Sequence, residues 1–340
     1  MASNRLQWVD SMKGILILMV VMGHAVQYCL PMSYETNYCW NLIYSFHMPA
    51  FMALSGWLLK NGENFTARTG GGISYKSLFA KRTLQLFVPF LCWTLVACAI
   101  QCCFSWRGII GLFLQPDRSF WFLWVLYIIS IIFYLLNWLS KKTKVYQEIY
   151  VIVVALLMVV LMILKEIRIF GFQFIAYYFL FFALGYYMNK YEHFFIKNTW
   201  LISGLFVFWF FLASFWNMHS VPCYLSNVCF LPTTVINYSY RFFTAVVFIY
   251  VMFAVAPHLP IHKKIVEWIA WIGKHTLGVY VIHLLLVPPI AAWLLKNMVE
   301  VPIVIPIILS FVIVLWISLF LTVLLGKLPI LKLLLLGKTK

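Results

Sequence analysis

Apolar runs of about twenty residues recur along nearly the whole of this 340-residue chain. A helix of that length rises about 30 Å, the thickness of the hydrocarbon layer of a bilayer. Backbone polar groups in lipid must be satisfied inside the membrane, which leaves helices or closed barrels. Barrel strands alternate polar and apolar residues in segments of about ten. Stretches such as "GILILMVVMGHAVQYC" are continuous instead. Charged residues make up only 10% of the chain, against about 25% in soluble proteins. The expectation is an all-α fold: a polytopic transmembrane helical bundle, one domain over 1–340, without a separate soluble domain.

Ten spans are expected, near 11–30, 39–59, 84–105, 120–139, 146–164, 170–188, 199–217, 240–257, 272–295 and 302–326. The first run is too long for a signal-peptide core and lacks a small-residue cleavage pattern, so it reads as a mature helix. Lys and Arg in connecting segments decide the orientation. Seventeen, among them Lys60, Lys76, Lys81, Arg82, Lys141, Lys142, Lys144 and Lys190, lie on the side of the two termini. Five lie opposite: Arg107, Arg118, Lys165, Arg168 and Lys296. Both termini are therefore expected in the cytoplasm, consistent with an even number of spans. The net charge of +16 is explained by these loop residues, and no nucleic-acid partner is expected. The eight cysteines, Cys102 and Cys103 among them, fall mostly within or beside spans, where thiols are packing residues. Cys29 with Cys39, and Cys223 with Cys229, share outer loops, and either pair is open to a disulfide.

Polar groups inside the spans carry the functional signal, because an ionisable group in hydrocarbon is costly. Asp10 and Lys13 stand at the entrance of the first span and His24 lies deeper. On a helix, Lys13 and His24 differ by about 20° around the axis and about 16 Å along it. Asp10 and Gln27 lie close to the same face, so a polar stripe is expected to line the bundle interior. The bland reading has Lys13 snorkelling to the interface, Asp10 capping the helix and His24 making one interhelical hydrogen bond. In the second span, His47 precedes Pro49, and proline can open the backbone of a membrane helix; a simple kink is the alternative. "ARTGGGISYKSLFAKR" places three glycines near Lys76, Lys81 and Arg82, a composition suited to anions, or to a flexible turn with topology-setting charge. The ninth span holds Tyr280 and His283 ahead of Pro288 and Pro289. The tryptophans of "RSFWFLWVLY" suit an interfacial belt. No H-E-x-x-H or G-x-S-x-G motif occurs, and His258 and His262, with Pro260 between them and no carboxylate, do not suggest a metal site.

Several segments occur in a telling order: "VDSMKG" leading into a helix that ends in "GH", then "FHMPAFMALSGWLL", "KRTLQLFVPF", "FWFLWVLYIIS", "FFALGYYM" and "TLGVYVIHLLL". The ensemble resembles the family 3 integral-membrane acyltransferases, especially the branch typified by fucose 4-O-acetylases. The resemblance covers almost the whole chain. Val9 stands where the family has leucine, and Lys13 where arginine is common; lysine offers no bidentate fork.

The resemblance implies an O-acyltransferase that takes an acyl group, most often acetyl, from cytoplasmic acetyl-CoA. The acceptor would be a hydroxyl of a cell-surface glycan or lipid-linked sugar. It implies that His24 is catalytic, with Asp10 and His47 as further candidates for the chemistry. Lys13, Arg82, Lys81, Tyr280 and His283 are candidates for holding the acyl-CoA co-substrate. No permanently bound cofactor and no metal are expected. The bilayer is a partner, a homo-oligomer is compatible with the sequence, and a bacterial inner membrane is the implied location. A glycan-precursor transporter or flippase is the competing reading, since carriers also place Lys, His and Asp in the membrane; no inverted repeat supports it.

Overall fold

The computed structural model describes residues 2–68, 75–100, 110–111, 114–115, 120–164, 167, 169–191, 198–226, 231–258 and 263–338. The glycine run at 70–72 lies outside the described residues, as do Cys102, Cys103, Arg107, Arg118, Lys165, Arg168, Cys229, Pro260 and His262. Among the described residues there is no strand. The helices are α1 (Ala2–Cys29), α2 (Tyr38–Tyr44), α3 (His47–Arg68), α4 (Tyr75–Arg82), α5 (Val88–Ile100), α6 (Trp121–Thr143) and α7 (Gln147–Leu164). They continue with α8 (Phe172–Lys190), α9 (Thr199–Ser214), α10 (Thr233–Val255), α11 (Lys263–Lys274), α12 (Thr276–Asn297), α13 (Val304–Lys327) and α14 (Pro329–Leu336). The protein is an all-helical integral membrane protein.

Eight stretches among the described residues are long and apolar enough to cross a membrane. They match eight of the ten expected spans. The expected spans at 146–164 and 199–217 form shorter apolar helices, Gln147–Ile163 and Thr199–Ser214.

Proline shapes two of the spans. The second, expected to be a single helix, divides into α2 and α3 with turns at Ser45 and Phe46. Pro49 has no N–H to give the carbonyl of Ser45, and its ring collides with that carbonyl in a continuous helix. His47 consequently begins α3 instead of lying within a kinked rod. In the third span, Pro89 removes the donor that Gln85 would meet in an α-helix. The segment Thr83–Phe87 widens into a π-helical turn between α4 and α5, and Val88 N–H bonds back to Thr83.

The chain forms two compact units, one of residues 1–51 and 192–323, the other of 52–191 and 324–340. In the first, α1 lies against α11 and α12. Lipid gives no hydrophobic drive for helices to associate, so close backbone approach at small residues takes its place. Gly14 and Gly273 supply that approach: a Cβ on Gly273 would fall on the Asp10 carbonyl oxygen, and one on Gly14 on the Ile269 carbonyl. Ser11 Oγ donates across the same contact to Val266 O at 3.4 Å. Phe46 stacks on Phe248, centroids 3.9 Å apart, and meets Trp209 edge-on.

In the second unit, α3 and α8 cross with Gly185 against the Ala53 backbone and Gly56 against that of Phe182. Phe133 packs among Phe179, Phe182 and Tyr186. The loop expected after residue 59 is shorter than expected, because α3 runs on to Arg68. That extension buries Glu63 at 9% exposure. Its carboxylate accepts hydrogen bonds from Tyr186 Oη at 2.6 Å and Asn137 Nδ2 at 3.0 Å, and pairs with Lys60 Nζ at 3.4 Å. A carboxylate so enclosed ties three helices together. Glu63→Gln removes the charge-assisted bonds and is expected to lower stability by about 2 kcal/mol. A thermal unfolding scan in detergent reads this as a lower midpoint; an unchanged midpoint would show the cluster contributes nothing.

Candidate active site

His24 comes five residues before the end of α1, within the first unit. Its surroundings come from helices far apart in sequence. His283, on α12, sits with its ring centroid 5.2 Å from that of His24. Tyr44, the last residue of α2, lies 6.4 Å away edge-on, and Tyr28 lies 6.4 Å away one turn along α1. His47 in turn is 4.6 Å from Tyr44. Tyr280 is 6.0 Å from His283, one turn back on α12.

The hydrogen bonds fix the chemistry of these rings. His47 Nδ1 is 2.8 Å from Ile43 O, and His283 Nδ1 is 2.9 Å from Val279 O. A carbonyl only accepts, so both Nδ1 atoms carry hydrogen. In the neutral ring the lone pair is then on Nε2. His283 is fully buried, and its Nε2 has no hydrogen-bond partner among the described residues. His24 is partly exposed, yet its Nδ1 is buried and equally unpartnered. Gln27 lies beside the His24 side chain, and Tyr44 Oη donates to Gln27 Oε1 at 3.0 Å. Tyr44 is held by stacking on Trp40 at 3.8 Å. The result is a cluster of rings with two unpartnered ring nitrogens, the kind of constellation that accepts and returns a proton.

Asp10 and Lys13 occupy the other end of α1. They form an ion pair at 3.3 Å with 22% and 28% of their side chains exposed. A pair this wet is worth about 1 kcal/mol or less, so an incoming anion can compete for the lysine. Asp10 lies about 21 Å along the helix from His24 and does not touch that ring directly. Arg82 and Lys81 belong to the second unit. Arg82 Nε donates to Tyr134 Oη at 3.3 Å, and Lys81 is exposed. The structure thus gathers His24, His47, Tyr280 and His283 into one place and pairs Asp10 with Lys13. Tyr44 was not a candidate in the sequence; its position three residues before His47, within the expected second span, was the available signal. Among the described residues no group of three His, Cys, Asp or Glu is placed to hold a metal. Cys29 and Cys39 are free thiols.

A profile described as "Acyltransferase domain" matches residues 6–327, almost the full chain. The chain belongs to this acyltransferase family. Relatives support the assignment over part of its length. A nodulation protein NolL of Sinorhizobium fredii is 33% identical over 181 residues, which is 49% of this chain and 46% of that protein. A nodulation protein NolL of Mesorhizobium japonicum is 28% identical over 151 residues, 41% of this chain and 38% of that protein. The chain matches less than half the length of either relative. No solved structure matches it.

Proposed function

We propose that the protein is a membrane O-acyltransferase. It moves an acyl group, acetyl first among the candidates, from cytoplasmic acyl-CoA to a hydroxyl of a cell-surface glycan or lipid-linked sugar. The observation that carries this reading is the partly exposed residue His24, beside buried His283 and beside Tyr44, which in turn meets buried His47, on the helix that bears Lys13 about 16 Å away. A sugar hydroxyl is a poor nucleophile until a base takes its proton, and imidazole suits that task. The hydroxyl oxygen then bonds to the thioester carbonyl carbon, the C–S bond breaks, and the proton returns to the leaving sulfur. Attack by His24 itself, through an acyl-histidine, uses the same ring in two steps. Lys13 offers one cation for the CoA phosphates, and Arg82, in the second unit, is the other candidate.

Acetyl-CoA binding by the purified protein in detergent tests the donor. Saturable binding is expected. Lys13→Ala and Arg82→Ala are each expected to weaken it about tenfold, the loss of one charge-assisted contact. Failure of the folded wild-type protein to bind any acyl-CoA would overturn the reading and favour a carrier.

A further inference from the structure

We propose that His283 is a positioning residue for His24: its Nε2 accepts a hydrogen bond from His24 Nδ1–H and so fixes the His24 tautomer. This rests on the acyl-transfer reading above. Two buried ring nitrogens, one on each histidine, have no hydrogen-bond partner among the described residues. Leaving either unpaired costs about 1–3 kcal/mol. The two rings face each other with centroids 5.2 Å apart and planes tilted by 46°. The Val279 carbonyl holds the hydrogen of His283 on Nδ1, so His283 Nε2 can only accept. Its natural complement is an N–H, and His24 Nδ1 is the buried orphan on the neighbouring ring.

The pair is not closed in this structure. Catalytic hydrogen bonds tighten when substrate arrives, and a single bridging water would transmit the same preference. Once Nδ1 of His24 carries the hydrogen, its Nε2 holds the lone pair. The acceptor hydroxyl gives its proton to that Nε2 as the new O–C bond forms. The positive charge on the His24 ring is stabilised through Nδ1–H by His283, which neither gains nor loses a proton. Breaking of the C–S bond returns the proton from Nε2 to the thiolate. His283 therefore does for His24 what a carboxylate or carbonyl does for other working histidines. A neutral partner suits a span in which an added charge would be costly.

The test is nitrogen-15 NMR of histidine-labelled full-length protein in detergent, with the His24 signals found by their loss in H24A. The expected wild-type result is a neutral His24 ring with hydrogen on Nδ1. In H283L the hydrogen is expected to shift toward Nε2. With the same variant, kcat is expected to fall roughly 10- to 100-fold. H283Q, whose amide oxygen can accept, is expected to recover most of the loss. His283→Met serves as the second apolar variant should H283L not fold. An unchanged His24 tautomer in a folded apolar variant, or hydrogen on Nε2 in the wild type, would overturn the proposal. The NMR result stands without any turnover. A protein that transfers no acyl group but shows the tautomer shift would therefore refute the function and keep the pair.

Discussion

His24→Ala is expected to abolish acyl transfer, lowering kcat by about 100- to 10,000-fold, while acetyl-CoA binding stays close to wild type. The two effects separate because the ring and the cationic end of α1 are about 16 Å apart along the helix. Removing the imidazole leaves the Asp10–Lys13 pair untouched. It takes away the only one of the three clustered histidines that is not fully enclosed: His47 and His283 are 3% and 0% exposed. Turnover with radiolabelled acetyl-CoA and a hydroxyl acceptor, alongside equilibrium binding of the donor, gives both numbers. Near-normal turnover in the folded variant would remove His24 from the chemistry.

Gly273→Val is expected to have the largest effect on stability, a loss of about 3 kcal/mol or more. The position faces backbone, which cannot rotate away as a side chain can. A Cβ there would land on the Asp10 carbonyl and lie 3.0 Å from the Gly14 nitrogen. Overpacking that forces backbone shifts costs about 1–3 kcal/mol even at ordinary core sites. Here it also levers apart the crossing of α1 and α11 that seats Lys13 and carries His24 onward. Gly62 and Gly204 provide controls. Both lie in helices, with nothing within 4 Å of an added Cβ, so Gly→Ala at either should be neutral or stabilising by up to about 1 kcal/mol. Thermal unfolding and the yield of monodisperse protein in detergent would separate the two kinds of glycine. A Gly273→Val protein as stable as the controls would show that α1 and α11 do not meet in this way.

Lys13 and Arg82 show where local sequence stops being informative. Each is a cation at the entrance of a span, and the resemblance assigns both to the donor. Their side-chain settings differ in ways that no spacing rule contains. Lys13 shares its charge with Asp10 three residues away, whereas Arg82 meets Tyr134, fifty-two residues on. Glu63 makes the same point. A second span ending near 59 leaves it in a connecting segment. Only the continuation of α3, and the arrival of Asn137 and Tyr186 from α6 and α8, turns it into a buried tie.

The sequence by itself determined that the chain is a helical membrane protein and where most of its spans lie. Lipid forces each span to satisfy its own backbone, so each announces itself locally as an apolar run. It also placed Asp10, Lys13, His24 and Gln27 on one face, because helical periodicity is local. Pro49 carried the signal for the break at Ser45 and Phe46 as well, though a proline near a span's end reads equally as a kink. What only the tertiary structure decided is which groups meet. His283 stands 259 residues beyond His24 and Gly273 the same distance beyond Gly14. Such partners are chosen by close packing between distant helices, and a one-dimensional pattern has no term for that.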